Sequence, residues 1–317
     1  MNRIRPRALG ALLTTALLVS GTALAADSVR LNRTVATLEA DQPVFGIFTG
    51  DFSLANARAL ARSDLDFIFI DMEHTAFNVE TLQTFLIGMT DKAALLANGH
   101  GQMAVTPLVR IPMNGRESLQ WQVKQVLDAG AFGIVFPYVE TKAEAENAVR
   151  AMRYPQRRGD PAMAPAGLRG SSPAIASWFW GVPDYSERAD VWPLDPRGEL
   201  LAVIQIESRK AVENIEEIAS VPGISAIFIG PSDLSISYGA PNQRDDAEVN
   251  AAIAKVLAVC KARNIPCGLT TSQETVEDYL EQGYRFVTVG YWDDAGISDR
   301  PATALRVARR ASGRAAD

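Results

Sequence analysis

The chain has 317 residues and a formal charge of −6, with 37 acidic residues against 31 Lys and Arg and only two histidines. An acidic surface argues against nucleic acid as a partner, and no apolar run reaches the roughly 20 residues a membrane-spanning helix needs. Cys260 and Cys267 are the only cysteines. They are too few alone for a structural zinc site, and they read either as two separately buried thiols or as a pair that could cross-link in an oxidising compartment.

At the N-terminus Arg3, Arg5 and Arg7 precede the apolar stretch Ala8 to Leu18, and "ALA" (Ala23 to Ala25) follows. That layout is expected of a secretory signal peptide over residues 1–25, removed to leave a periplasmic or secreted chain starting at Ala26 with no membrane attachment. Its loss takes three arginines and no acids, so 28 basic residues face 37 acidic ones and the charge moves to about −9. Residues 26–317 are long for one domain but suit a single α/β barrel.

Along that stretch, short apolar runs recur at Val44–Phe48, Phe67–Ile70, Val105–Val109, Gly133–Phe136, Leu201–Ile206, Ala226–Ile229, Pro266–Leu269 and Phe286–Val289. Segments of helical periodicity separate them, among them Val79–Met89 after Asn78, "ESLQWQVKQVLDAG", "TKAEAENAVRAM" and "SQETVEDYLEQG". Strands apolar on both faces and alternating with helices predict a parallel sheet. Eight strand–helix pairs predict a (β/α)8 TIM barrel; an open doubly wound sheet is the alternative, but no strand is followed by a Gly-rich dinucleotide fingerprint. A long Pro- and Gly-rich excursion, from "PQRRGDPAMAPAGLRGSSP" to "DYSERADVWPLDPRGE", interrupts the rhythm before the fifth strand. Loops of that length in compact domains are usually functional or flexible.

In such a barrel the C-terminal ends of the strands carry the active site. Asp71, Glu73 and His74 follow the second run, Arg110 ends the third, Gln205 and Glu207 close the fifth, and "IGPSDLS" with Asp233 follows the sixth. Carboxylates on neighbouring strand ends, with no cysteine and little histidine nearby, suit a hard divalent cation such as Mg²⁺ or Mn²⁺; structural ion pairs are the alternative for any one of them. Arg110 offers a fork for an oxyanion or carboxylate, and His74 suits proton transfer. The turn Gly230, Pro231, Ser232 offers backbone N–H groups for a substrate carboxylate. A Schiff-base mechanism needs a lysine in the site, and none of the six lysines ends a predicted strand.

The stretches "FIFIDMEH", "PLVRIP", "KQVLDAGAFGIVFPYV", "AVRAMRYP", "GLRG", "VIQIES" and "GISAIFIGPSDLS", in that order, resemble the HpcH/HpaI aldolases, metal-dependent class II pyruvate aldolases. The resemblance implies a barrel of the phosphoenolpyruvate/pyruvate-domain type, with Glu207 and Asp233 holding Mg²⁺, Mn²⁺ or Co²⁺. It implies that Arg110 stabilises an enolate oxygen with Gln205 beside it, that His74 and Asp71 handle a proton, and that Gly230 to Ser232 receive a carboxylate. Asp128 matches an acid that assists the histidine; within one barrel it precedes the fourth strand, at the wrong face, so it could act only across a homo-oligomer, dimer-based and up to a hexamer. Partners would be a 2-oxo acid and an aldehyde. Met72, the "GYWDD" after the last strand and the "RRGDPAMAP" insertion depart from the family pattern, at positions expected to recognise the aldehyde half. The function expected is cleavage or formation of 4-hydroxy-2-oxo acids with pyruvate as the enolate component. Oxaloacetate decarboxylation on the same site, or an exported keto-acid binding protein without turnover, are the alternatives.

Overall fold

The computed structural model describes residues 29–112, 120–159, 161–241, 243, 245–291 and 299–314. The expected signal peptide and Trp292 lie outside them, as does the side chain of Tyr291. Among the described residues, nine strands form one parallel sheet: β1 (Val44–Thr49), β2 (Phe67–Asp71), β3 (Thr106–Arg110), β4 (Gly133–Phe136), β5 (Val191–Trp192), β6 (Leu200–Ile206), β7 (Ala226–Ile229), β8 (Cys267–Gly268) and β9 (Phe286–Tyr291). Their spatial order is β8-β7-β6-β4-β3-β2-β1-β9, with β5 a two-residue appendage on β6. A parallel bridge between Thr270 and Thr288, with Thr271 N–H donating to Thr288 O at 2.8 Å, brings the two ends together. The result is a (β/α)8 barrel.

The barrel interior is aromatic. Phe69 on β2 meets Phe228 on β7 at 5.2 Å between ring centroids, and Phe48, Phe67 and Phe286 join them. β2 and β7 are not neighbours in the sheet, so these rings meet across the lumen and fill it. Gly46 makes room for one of them: a Cβ there would stand 2.2 Å from the Phe67 ring. The packed lumen leaves chemistry only at the barrel's ends.

The expected helices are present, two of them capped as their sequences suggest, whereas the one expected from Ser272 begins at Val276 without a side-chain cap. Asn78 accepts from Thr81 N ahead of Val79–Gly88, and Thr141 with Glu144 forms a reciprocal capping box on Lys142–Met152. All six lysines lie in helices. Only β4 and β7 keep the predicted bounds: β1, β2, β6 and β9 gain one or two residues at an end, β3 runs one residue later, to Arg110, and β8 shrinks to Cys267–Gly268. Both cysteines are buried free thiols.

The Pro- and Gly-rich excursion is ordered by two buried arginines. Arg153 pairs with Asp190 (Nη2 to Oδ2 2.9 Å), and Arg169 donates to Asp128 Oδ1 at 2.8 Å and to the Tyr185 hydroxyl at 2.9 Å. Within it Trp180 stacks on Phe132 at 4.3 Å and donates to Gly130 O. Gly130 and Phe132 immediately precede β4, and the inserted Met163 carbonyl accepts from Arg153 just past a helix C-terminus. The excursion therefore packs at the end of the barrel where strands begin. Within one barrel the insertion thus lies away from the strand C-terminal ends, where active sites of this fold sit.

Candidate active site

The site is built from five consecutive strands of the barrel wall, β2, β3, β4, β6 and β7, and the turns that leave them. At the end of β2 and β3, Asp71 and Arg110 are in register, and the carboxylate takes two guanidinium donors, Nε at 3.0 Å and Nη2 at 2.6 Å. Both side chains are buried. Glu73 approaches the same guanidinium at 3.3 Å, and the Phe48 ring lies 4.7 Å beneath it. Two acids and an aromatic face thus fix the arginine in orientation.

The chain then turns about Asp71, whose Oδ1 accepts from the Glu73 and His74 backbone N–H groups. His74 Nε2 lies 3.6 Å from Glu73 Oε2, and its side chain is 63% exposed. The acid facing the imidazole is therefore Glu73, whereas Asp71 serves Arg110. Burial is the main force raising the Glu73 pKa, opposed by Arg110 and His74. Met72 is wholly buried and its N–H donates to Arg110 O at 2.9 Å, so it extends the β2–β3 ladder and packs in the core.

On the other side, Gln205 and Glu207 sit two residues apart at the end of β6, which directs both side chains the same way. Glu207 is buried; Oε1 accepts from Tyr138 N at 2.8 Å, and Oε2 accepts from the Gln205 amide. Its pKa is pushed up to about 8, first by burial, then by the negative charges of Glu73 and Asp233. Asp233 lies in the first turn of the helix Pro231–Ser237 that follows β7, and the Tyr138 hydroxyl donates to its Oδ1 at 3.2 Å. Burial and the two acids raise the Tyr138 pKa as well.

Gly230 is required by close approach. A Cβ there would stand 2.6 Å from Glu207 Oε2 and 3.2 Å from Gln205 Nε2. Its N–H is committed to Ile206 O at 3.0 Å and Pro231 has none, so neither of these two residues offers a backbone N–H to the carboxylate that Gly230 to Ser232 were expected to receive. Asp128 stands apart from the set. It lies in the last turn of the helix Gln120–Ala129 and pairs with Arg169 and, at 3.7 Å, Lys124.

Of the residues singled out from sequence, Asp71, His74, Arg110, Gln205, Glu207 and Asp233 gather at the strand C-terminal end. Glu73, counted from sequence only among the carboxylates suited to a cation, joins them, as does Tyr138, for which no role was read. Glu73 could have been found by asking which acid beside His74 faces inward; nothing in "FPYVE" announces Tyr138.

The donor set fits a hard divalent cation. Glu207 and Asp233 leave adjacent strands, Gln205 Oε1 is buried without a hydrogen-bond partner, and the charges of Glu73 and Asp233 add to burial in raising the Glu207 pKa, a strain that a cation would relieve. Among the described residues no three His, Cys, Asp or Glu side chains form a metal cage. A cation resting on two carboxylates would complete its shell from water and substrate oxygens, as Mg²⁺ commonly does.

Barrel and rim together define a (β/α)8 enzyme whose chemistry rests on clustered acids and a buried arginine. The sequence profile of the HpcH/HpaI aldolase/citrate lyase family matches residues 45–295. A 4-hydroxy-2-oxo-heptane-1,7-dioate aldolase of Shigella sonnei is 34% identical over 273 residues, 85% of this chain and 92% of that one. An HpcH/HpaI aldolase/citrate lyase family protein of Burkholderia cenocepacia superposes with a TM-score of 0.69 at 30% identity, over 88% of this chain and 97% of its own. The citrate synthase SbnG superposes with a TM-score of 0.64 at 26% identity, covering 83% and 91%. The chain belongs to the HpcH/HpaI aldolase/citrate lyase family, and it is a carbon–carbon lyase of the aldolase kind.

Proposed function

We propose that this enzyme is a divalent-metal-dependent aldolase that cleaves or forms 4-hydroxy-2-oxo acids, with pyruvate as the enolate component. The observation that carries the reading is the pairing of Glu207 and Asp233 at the strand ends that also present the Asp71-held Arg110. The name of the Shigella relative supports the substrate class. A cation held by Glu207 and Asp233 (Mg²⁺, Mn²⁺ or Co²⁺) would act as a Lewis acid toward the keto and carboxylate oxygens of the 2-oxo acid.

Breaking the bond beside a hydroxyl leaves an electron pair on carbon, which the 2-oxo group accepts as an enolate. Arg110, buried and oriented before substrate arrives, stabilises the developing oxyanion without reorganising. His74, paired with Glu73 at the exposed rim, takes the hydroxyl proton directly or through water. Gln205 holds Glu207 through its amide N–H, while its carbonyl oxygen is buried without a hydrogen-bond partner. The test is pyruvate release from a panel of 4-hydroxy-2-oxo acids with and without EDTA. Activity that survives chelation, or that persists in Glu207→Gln, sinks the proposal.

The exposure of His74 leaves room for a second fate of the same enolate, decarboxylation of oxaloacetate, which needs no base at a hydroxyl. Release of CO₂ that is unaffected by His74→Ala, without aldehyde formation, would mark it. We also propose that residues 1–25 are removed on export and that the enzyme works outside the cytoplasm as a homo-oligomer. A mature N-terminus other than Ala26, or recovery of the intact chain from the cytoplasm, argues against the export; a monomeric mass in solution argues against the assembly.

A further inference from the structure

Tyr138 stands two residues beyond β4 with φ at 53°, a left-handed conformation that a bulky L residue rarely adopts. Backbone of that kind persists where the surroundings over-determine it, and such places cluster at functional sites. Here the surroundings are two acids. The Tyr138 N–H donates to Glu207 Oε1 at 2.8 Å, and its hydroxyl donates to Asp233 Oδ1 at 3.2 Å. Glu207 leaves β6, whose neighbours are β4 and β7, and Asp233 follows β7. One residue beyond β4 therefore reaches across β6 and holds both carboxylates at once.

We propose that Tyr138 is a positioning residue that fixes the separation and orientation of Glu207 and Asp233, and thereby sets the cation affinity of the site. The inference rests on the metal-dependent reading above. Two carboxylates repel, and each needs a donor to keep it aimed before a cation arrives; Tyr138 supplies one donor from its backbone and one from its side chain. Gly230 and Gln205 fix Glu207 from the other side. The phenol's hold on Asp233 is the part of the arrangement that a side-chain change can remove alone.

Losing a partner that orients a metal ligand typically weakens affinity about 10- to 100-fold. The test titrates the cation-stripped protein with Mn²⁺ alone, following free Mn²⁺ by its electron paramagnetic resonance signal. Tyr138→Phe keeps the ring and the backbone donor and removes only the hydroxyl, and it should bind Mn²⁺ about 10- to 100-fold more weakly. Tyr138→Gly, which suits the left-handed backbone and keeps the N–H, should show the same loss, so a folding defect peculiar to one variant does not decide the matter. Wild-type affinity within about twofold in both variants, beside the loss expected above, overturns the inference while leaving the metal site standing. Failure of the wild type itself to bind Mn²⁺ overturns the metal-dependent reading and this inference with it.

Discussion

Asp71 grips Arg110 through two donors, at 3.0 and 2.6 Å, from the in-register ends of β2 and β3. The pair is buried, so the guanidinium is held in place by its partner more than by solvent. Removing one partner of a buried ion pair costs about 3 to 5 kcal/mol, and Glu73 at 3.3 Å keeps this case near the lower end. Asp71→Asn should therefore lower the unfolding free energy, read by urea denaturation, by about 3 kcal/mol and cut kcat/KM for a 4-hydroxy-2-oxo acid at least about tenfold. Unchanged kinetics in the folded variant would remove Arg110 orientation from the mechanism.

His74 offers the opposite separation of effects. Its side chain is 63% exposed and makes one long contact to Glu73, so His74→Ala should change stability by no more than about 0.5 kcal/mol. A general base contributes about 10²- to 10⁴-fold, and the aldol cleavage rate should fall within that range. Paired denaturation curves and initial rates check both halves. A variant that loses stability and keeps its rate would make His74 structural.

Gly230→Ala probes the same pocket without touching a charge. The new methyl would stand 2.6 Å from Glu207 Oε2 and 3.0 Å from Glu207 Cβ. Relief requires Glu207 to swing away from the place where Gln205 and Tyr138 hold it. Mn²⁺ binding should weaken about 10- to 100-fold by calorimetry while far-ultraviolet circular dichroism stays native.

Legibility from sequence followed the physics of burial. β4 and β7 were bounded to the residue because a run apolar on both faces has sharp edges in composition. β2 and β3 extended one residue further, into Asp71 and Arg110, because an ion pair at the rim can finish a ladder that hydrophobicity alone appears to end. β8 was overestimated: Leu269 is buried, but only Cys267–Gly268 pair regularly, and the remaining closure is a single bridge. Glu207, Asp233 and Arg110 were legible as polar residues closing apolar strands. Tyr138 was not, since its role depends on a left-handed backbone reaching across β6, and no local spacing encodes that. The partner of the Asp71 carboxylate was hidden for a similar reason. Sequence places two acids beside the histidine, and only the ladder register decides that Asp71 faces Arg110.

The raised Glu207 pKa ties stability to pH and to the cation. A carboxyl that binds its proton more tightly when folded contributes fully below its ordinary value of 4.5, and that contribution is lost as pH rises through the folded value of about 8. The loss across that interval is on the order of 3 to 5 kcal/mol, and Glu73, raised chiefly by burial, acts in the same direction. With EDTA present, the melting temperature should therefore decline from pH 5.5 to pH 8.5, a window set by the roughly 4.5-to-8 interval. A cation competes with the proton for Glu207, so the Mn²⁺-induced rise in melting temperature should grow over the same interval, following the ligand's mass action on the folded state. Differential scanning fluorimetry at matched ionic strength measures both trends. A cation-induced shift independent of pH, or a chelated protein more stable at the alkaline end, would dissociate Glu207 from the metal.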